Sequence, residues 1–238
     1  VARFFRTKQN KLGEIKEMAG IQDFAEFCDD FVGGEVFTTA GQGSPWAIAD
    51  TSSGGTPTYA VVSPSATGEV ALTLESTNEV QNVCLSFGDK LCFDIDNLQS
   101  FEARVKVTGC TSGTSISFGL ASARNDAIDS IANHASFRMI GATSTTAVYL
   151  ETDDGTTDVD DIASGQTLAT TYKRFFIDFS GGKSNVKFYI DGIRVGASQV
   201  FSMAAATSSL QPYVQIQKTA TTNVDAVTID YIKVIAKR

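Results

Sequence analysis

Between Tyr172 and Gly196 the sequence reads YKRFFIDFSGGKSNVKFYIDGIRVG, with apolar and polar residues changing places at every step. Phe175, Ile177 and Phe179 fall on one side, with Arg174 and Asp178 on the other. Val186, Phe188 and Ile190 then oppose Lys187 and Tyr189. A period of two marks extended strands with one buried face. Ser180-Gly181-Gly182-Lys183 supplies a first turn. Asp191-Gly192 is the pair a type I′ hairpin prefers, because both central residues need positive φ. The stretch therefore predicts three consecutive antiparallel strands.

The same alternation recurs along the chain. Phe101, Ala103, Val105 and Val107 alternate with Glu102, Arg104 and Lys106 in Ser100–Thr108, and the outward charges read as a solvated cross-strand surface. Further strands are expected at Phe24–Phe31, Thr58–Ser63, Glu69–Glu75, Asn82–Phe87, Lys90–Ile95 and Ser115–Ser122. His134–Gly141 and Ala147–Thr152 read as a hairpin, and Arg124–Asn133 as an excursion with a helical turn. Pro212–Lys218 and Asp225–Arg238 complete the set; the last strand is apolar on both faces and belongs in the middle of a sheet. About a dozen short strands separated by turns predict an all-β fold of two packed antiparallel sheets. With 42% hydrophobic residues and 16 Phe, the 238-residue chain can fill the space between them.

The net charge of −8 argues against nucleic acid as a partner, and no apolar run is long enough for a transmembrane helix. Residues 1–20 stand apart: five basic residues against two acidic ones give about +3, leaving about −11 for the rest. They read either as a frayed terminus or as a docking arm, in which Arg3, Phe4, Phe5, Arg6, Lys8 and Lys11 would contact a partner. The domain proper then runs over 21–238. The basic start lacks the apolar core of a secretory signal, and Val1 in place of an initiator Met reads as a processed cytoplasmic product. Cys28, Cys84, Cys92 and Cys110 form no CxxC pair and His134 is the only histidine, so the spacing of a zinc site is missing and four free thiols are expected.

Two acidic features invite a chemical reading. Asp153–Asp161 (DDGTTDVDD) carries five Asp, oxygens a calcium ion could use, yet it lacks EF-hand spacing and a closing Glu; a solvated turn is the simpler reading. Glu151-Thr152-Asp153 begins like the Glu-x-Asp-x-x-Glu strand of a glucanase, but Thr156 stands where the second Glu belongs. With no nucleophile elbow and no phosphate loop either, the chain is expected to lack enzymatic activity, a cofactor and a metal.

Three segments, FCDDFVGG (27–34), VKFYIDGIRVG (186–196) and LQPYVQIQK with VTIDYIKV (210–234), together resemble the concanavalin A-like lectin/glucanase superfamily. The likeness implies a jelly-roll sandwich of two curved antiparallel sheets, here with a short N-terminal arm. Within that superfamily, Phe101–Arg104, Phe118–Ala121 and Leu210–Pro212 resemble segments of tailed-phage head decoration (cement) proteins. That resemblance implies a structural virion protein made in the host cytoplasm, sited on the outer capsid surface, bound to the major capsid protein and forming a homo-oligomer, with a trimer favoured. The alternative is a carbohydrate-binding, lectin-like module of a tail fibre or surface protein, with a glycan as partner. Trp46, Tyr59, Tyr149 and Tyr189 are then the candidates for an aromatic platform, against core or edge packing as the plainer role of each, and for Trp46 packing across the sandwich or over one end of it.

Overall fold

The computed structural model describes residues 24–32, 44–62 and 68–238. The arm residues Arg3, Phe4, Phe5, Arg6, Lys8 and Lys11 lie outside the described residues. Fifteen strands run through the described part: β1 Phe24–Asp29, β2 Ala47–Asp50, β3 Thr58–Val61, β4 Val70–Thr73, β5 Glu79–Ser86, β6 Leu98–Val107, β7 Thr114–Ala121, β8 His134–Ile140, β9 Ala147–Asp153, β10 Asp158–Thr167, β11 Lys173–Asp178, β12 Lys187–Ile190, β13 Ile193–Val195, β14 Gln211–Thr221 and β15 Ala226–Lys237. Their pairings are antiparallel throughout.

They make two sheets. One has the order β13-β12-β11-β6-β15-β4-β3, with β1 also paired to β15; the other has the order β10-β9-β8-β7-β14-β5-β2. The doubly apolar β15 sits centrally, between β6 on one side and β4 and β1 on the other. Asp191 and Gly192 both have positive φ, 51° and 81°, as the β12–β13 hairpin requires. Aromatic rings join the layers: Phe175 of the first sheet meets Phe118 and Phe137 of the second at centroid distances of 4.8 and 4.9 Å, and Phe188 meets Phe137 at 5.2 Å. Each of these four rings is fully buried.

Two expectations are corrected. Lys90–Ile95 forms no strand: Phe93 and Ile95 turn inward, but the backbone makes one isolated bridge, Phe93 to Leu210, and then follows a turn held by the Asp94 carboxylate. The acidic stretch 153–161 is not one loop either. A tight turn ends at Thr157, and Asp158–Thr167 pairs with β9 as an edge strand with two register shifts. In that turn the Asp153 carboxylate accepts from Gly155 N, and Asp154 accepts from Thr156, Thr157 and Ala205 N, so backbone donors occupy both side chains. The four cysteines are free thiols.

Candidate functional site on the seven-stranded sheet

Alternation divides every strand of the second sheet into a core face and an outer face. On β8, Ala135, Phe137 and Met139 enter the core, so His134, Ser136 and Arg138 share the outer face. On β9, Val148 and Leu150 enter the core, which leaves Tyr149, Glu151 and Asp153 outside. By the same rule β7 contributes Ser117, β14 contributes Gln211, Tyr213 and Gln215, and β5 contributes Asn82. The outer face is therefore a polar row crossing the sheet.

Much of that row is buried, because residues 123–132 fold back over it. They leave β7 and return to β8 through one bonded pair: Ser122 N donates to Asn133 O at 2.8 Å, and Asn133 N donates to Ser122 Oγ at 3.1 Å. The strap holds a single 3-10 turn, Ile128–Ser130, and its Ile131 packs with Cys84, Ala121 and Tyr213. The helical turn expected between Arg124 and Asn133 is thus present, in a segment that covers the sheet.

At the β8–β9–β10 end an ionic cluster forms around Glu151, which has no solvent exposure. Arg138 Nη1 donates to Glu151 Oε1 at 2.8 Å, pairs with Asp129 of the strap, and lies 3.7 Å from Asp161 Oδ1. His134 Nε2 stands 3.5 Å from Glu151 Oε2, and its Nδ1 is bonded to Ile131 O at 3.0 Å. Asp161 reaches the cluster because the β10 backbone bulges there, with φ 50° at that residue.

These neighbours set the charge states. Burial pushes the Glu151 carboxyl up, but His134 and Arg138 outweigh it and hold the pKa below the ordinary value. Burial opposes a charge on His134; the adjacent Glu151 outweighs it, and the imidazole pKa is raised. Burial and the bond to Glu151 push Asp161 up to about 7. Near neutral pH the cluster therefore combines a fixed carboxylate, a fixed guanidinium and a half-exposed carboxyl close to its titration point.

The aromatic candidates do not form one platform. Trp46 is fully buried, which excludes it from a ligand platform and gives it the packing role: its Nε1 donates to Asp29 Oδ2 at 2.8 Å, and its ring packs on Phe27, Phe31 and Phe87. Tyr59 packs against the core, and Tyr189 lies on the other sheet, edge-on to Phe176 at 5.9 Å. Tyr149 alone of the four belongs to the outer face of the second sheet, half-buried and in register with Arg138. Arg138, Asp129 and the strap carbonyls were not singled out by sequence reasoning, and Asp161 drew notice only as the end of the acidic stretch 153–161. Polar alternation in HASFRMI (134–140) was the available signal for Arg138.

Two packed antiparallel sheets of this strand order make an all-β sandwich of the concanavalin A-like jelly-roll kind. Solved structures agree. The chain is similar to the carbohydrate recognition domain of Emp47p (TM-score 0.57, 15% identity, 89% of this chain and 94% of that one) and to Bacillus licheniformis β-glucanase (0.58, 15%, 90% and 98%). It is also similar to a protein from a study of endo-acting O-glycanases expressed by human gut microbiota (0.60, 11%, 89% and 98%). No family model and no curated protein sequence matches the chain. At these identities the likeness is one of fold. It adds no support to the decoration-protein resemblance, the capsid partner or the trimer. Among the described residues no helix is long and apolar enough to cross a membrane.

Proposed function

We propose that this chain is a non-catalytic, lectin-like module that binds glycans on the outer face of the seven-stranded sheet. One observation carries this: Tyr149 is half-buried and in register with Arg138, whose guanidinium lies 3.7 Å from the half-exposed carboxyl of Asp161. An aromatic face with fixed polar groups at its edge is what a sugar ring requires, apolar C–H groups on one side and hydroxyls around the rim. The fold's likeness to a carbohydrate recognition domain supports the same reading.

Hydrolysis fits the site poorly. A glycosidase needs two carboxyl groups that both reach the scissile bond. Glu151 has no exposure, is neutralised by Arg138 and lies under the strap. Isothermal titration against hits from a glycan array tests the proposal: Tyr149→Ala should weaken binding about tenfold, the scale of one lost aromatic contact. Absence of binding to any glycan, or hydrolysis that disappears in Glu151→Gln, would overturn it.

A further inference from the structure

Two connections cross from one sheet to the other at the same end of the sandwich: residues 74–78 lead from β4 to β5, and residues 222–225 lead from β14 to β15. A crossover leaves the strand ladder, so its carbonyls need donors from elsewhere. Four carbonyls at these connections, Glu75 O, Thr77 O, Thr221 O and Asn223 O, converge on one point, which the Lys218 ammonium fills. The last three stand 2.8, 2.9 and 3.2 Å from Nζ. Lys218 is 2% exposed, and no carboxylate oxygen is among its hydrogen-bond partners in the described residues. Both walls of the cage are held without the lysine. Gln81 Oε1 accepts from Glu75 N at 2.8 Å while its Nε2 donates to Thr77 Oγ1 at 2.9 Å. Opposite, Asn223 Nδ2 donates to Ser112 O at 2.7 Å and to Thr114 Oγ1 at 3.3 Å.

We propose that this carbonyl cage is a binding site for a large monovalent cation, potassium or ammonium, which the chain keeps filled with its own Lys218 ammonium. The number of ligands suits an ion better than a lysine. An ammonium has three N–H groups and cannot give each of four carbonyls its own, whereas a spherical ion has no such limit. The spacing selects the ion. Magnesium holds oxygens at about 2.0–2.1 Å and calcium at about 2.3–2.6 Å, and both draw on carboxylates. Neutral carbonyls that replace a hydration shell are the ligands a potassium-selective filter uses. Glu75, Glu79 and Asp225 favour a positive charge in the cage from further out, but Glu75 is bonded to Thr56 and Asp225 to Thr111.

Lys218→Ala empties the cage and supplies the test. The full-length variant is melted in the chlorides of potassium, ammonium, sodium, lithium, calcium and choline at one ionic strength, beside the parent and Lys218→Met, whose uncharged chain fills the same space. Potassium and ammonium should raise the melting temperature of Lys218→Ala saturably, by about 3–6 °C at about ten times the dissociation constant. Sodium should do less, and lithium and choline nothing. The parent and Lys218→Met should not distinguish the monovalent salts. Rubidium soaked into crystals of Lys218→Ala should give its anomalous peak at the former Nζ position. Equal melting of Lys218→Ala in all the chlorides, a larger response to calcium than to potassium, the same selectivity in Lys218→Met, or rubidium bound only elsewhere would overturn the inference. Where Lys218→Ala does not fold in choline chloride, its refolding from urea in each salt decides. Recovery confined to potassium or ammonium supports the cation site; recovery in no salt overturns it.

Discussion

Replacing Arg138 by Met tests how the ionic cluster is held. The side chain is 8% exposed and its main partner Glu151 is 1% exposed, whereas Asp129 and Asp161 are 64% and 48% exposed. The two open carboxylates are screened by water and lose little when the guanidinium goes. Glu151 cannot be rehydrated under the strap, so its uncompensated charge dominates the cost. Breaking a buried pair from one side costs about 3–5 kcal/mol, which for a domain of this size lowers the melting temperature by about 6–20 °C. His134, 3.5 Å away, offers partial compensation while it is protonated, so the loss should be larger at alkaline than at mildly acidic pH. Arg138→Met/Glu151→Leu should recover most of the stability, because a buried pair replaced by apolar groups is often neutral. Thermal melts of the two variants at several pH values provide the assay. An Arg138→Met chain within about 1 kcal/mol of the parent, or a double variant no more stable than the single, would refute the assignment of Glu151 as a buried, charge-dependent partner.

Two further outcomes follow from groups already placed. Glu151, held below its ordinary 4.5, contributes stability above that value which is lost as pH falls through its folded pKa. His134, raised above 6.5, contributes most below that value and loses it as pH rises through its folded pKa, and Asp161, raised from 3.8 to about 7, costs stability across that interval. Melting temperature plotted against pH should therefore peak on the acidic side of neutrality, and a monotonic rise to pH 8 would contradict these shifts. Separately, Lys218 is almost fully buried and the three N–H groups of its Nζ are shared among the carbonyls of Glu75, Thr77, Thr221 and Asn223. Lys218→Met keeps the volume but strands four acceptors at one end of the sandwich. Urea melts should show a loss of about 3 kcal/mol, against well under 1 kcal/mol for Lys187→Met on the open face.

The strands most legible in the sequence were those with one apolar and one charged face, such as β6 and β11, because burial on one side imposes a period of two. β10 was missed for the opposite reason. It is an edge strand, largely exposed, charged and bulged, and these devices keep an edge from pairing further while making it resemble a loop. Lys90–Ile95 failed differently: Phe93 and Ile95 alternate like a strand, but Asp94 diverts the backbone into a turn.

The candidate site was half legible. Glu151 and Asp153 drew notice as the start of a carboxylate motif, and their placement on one face of β9 follows from spacing alone. That Glu151 meets Arg138 is a different kind of fact. Ser136 is in register with Glu151, and Arg138, two residues along, with Tyr149; that register is set by the Gly141–Thr146 turn and by the core residues on the opposite face. The strap lay further out of reach. Nothing in RNDAIDSIAN distinguishes a surface excursion from one that spans a polar face and pairs its carbonyls with Asn82 and Gln215, residues from strands far away in sequence. A polar outer face thus has two meanings in the sequence, solvated surface or covered groove. Charge type separates them in retrospect. The open face of the first sheet is written in Glu, Arg and Lys, whereas the covered face uses mostly Asn, Gln, Ser and Tyr, and its few charged groups, Arg138, Glu151 and His134, are sealed only because they pair with one another.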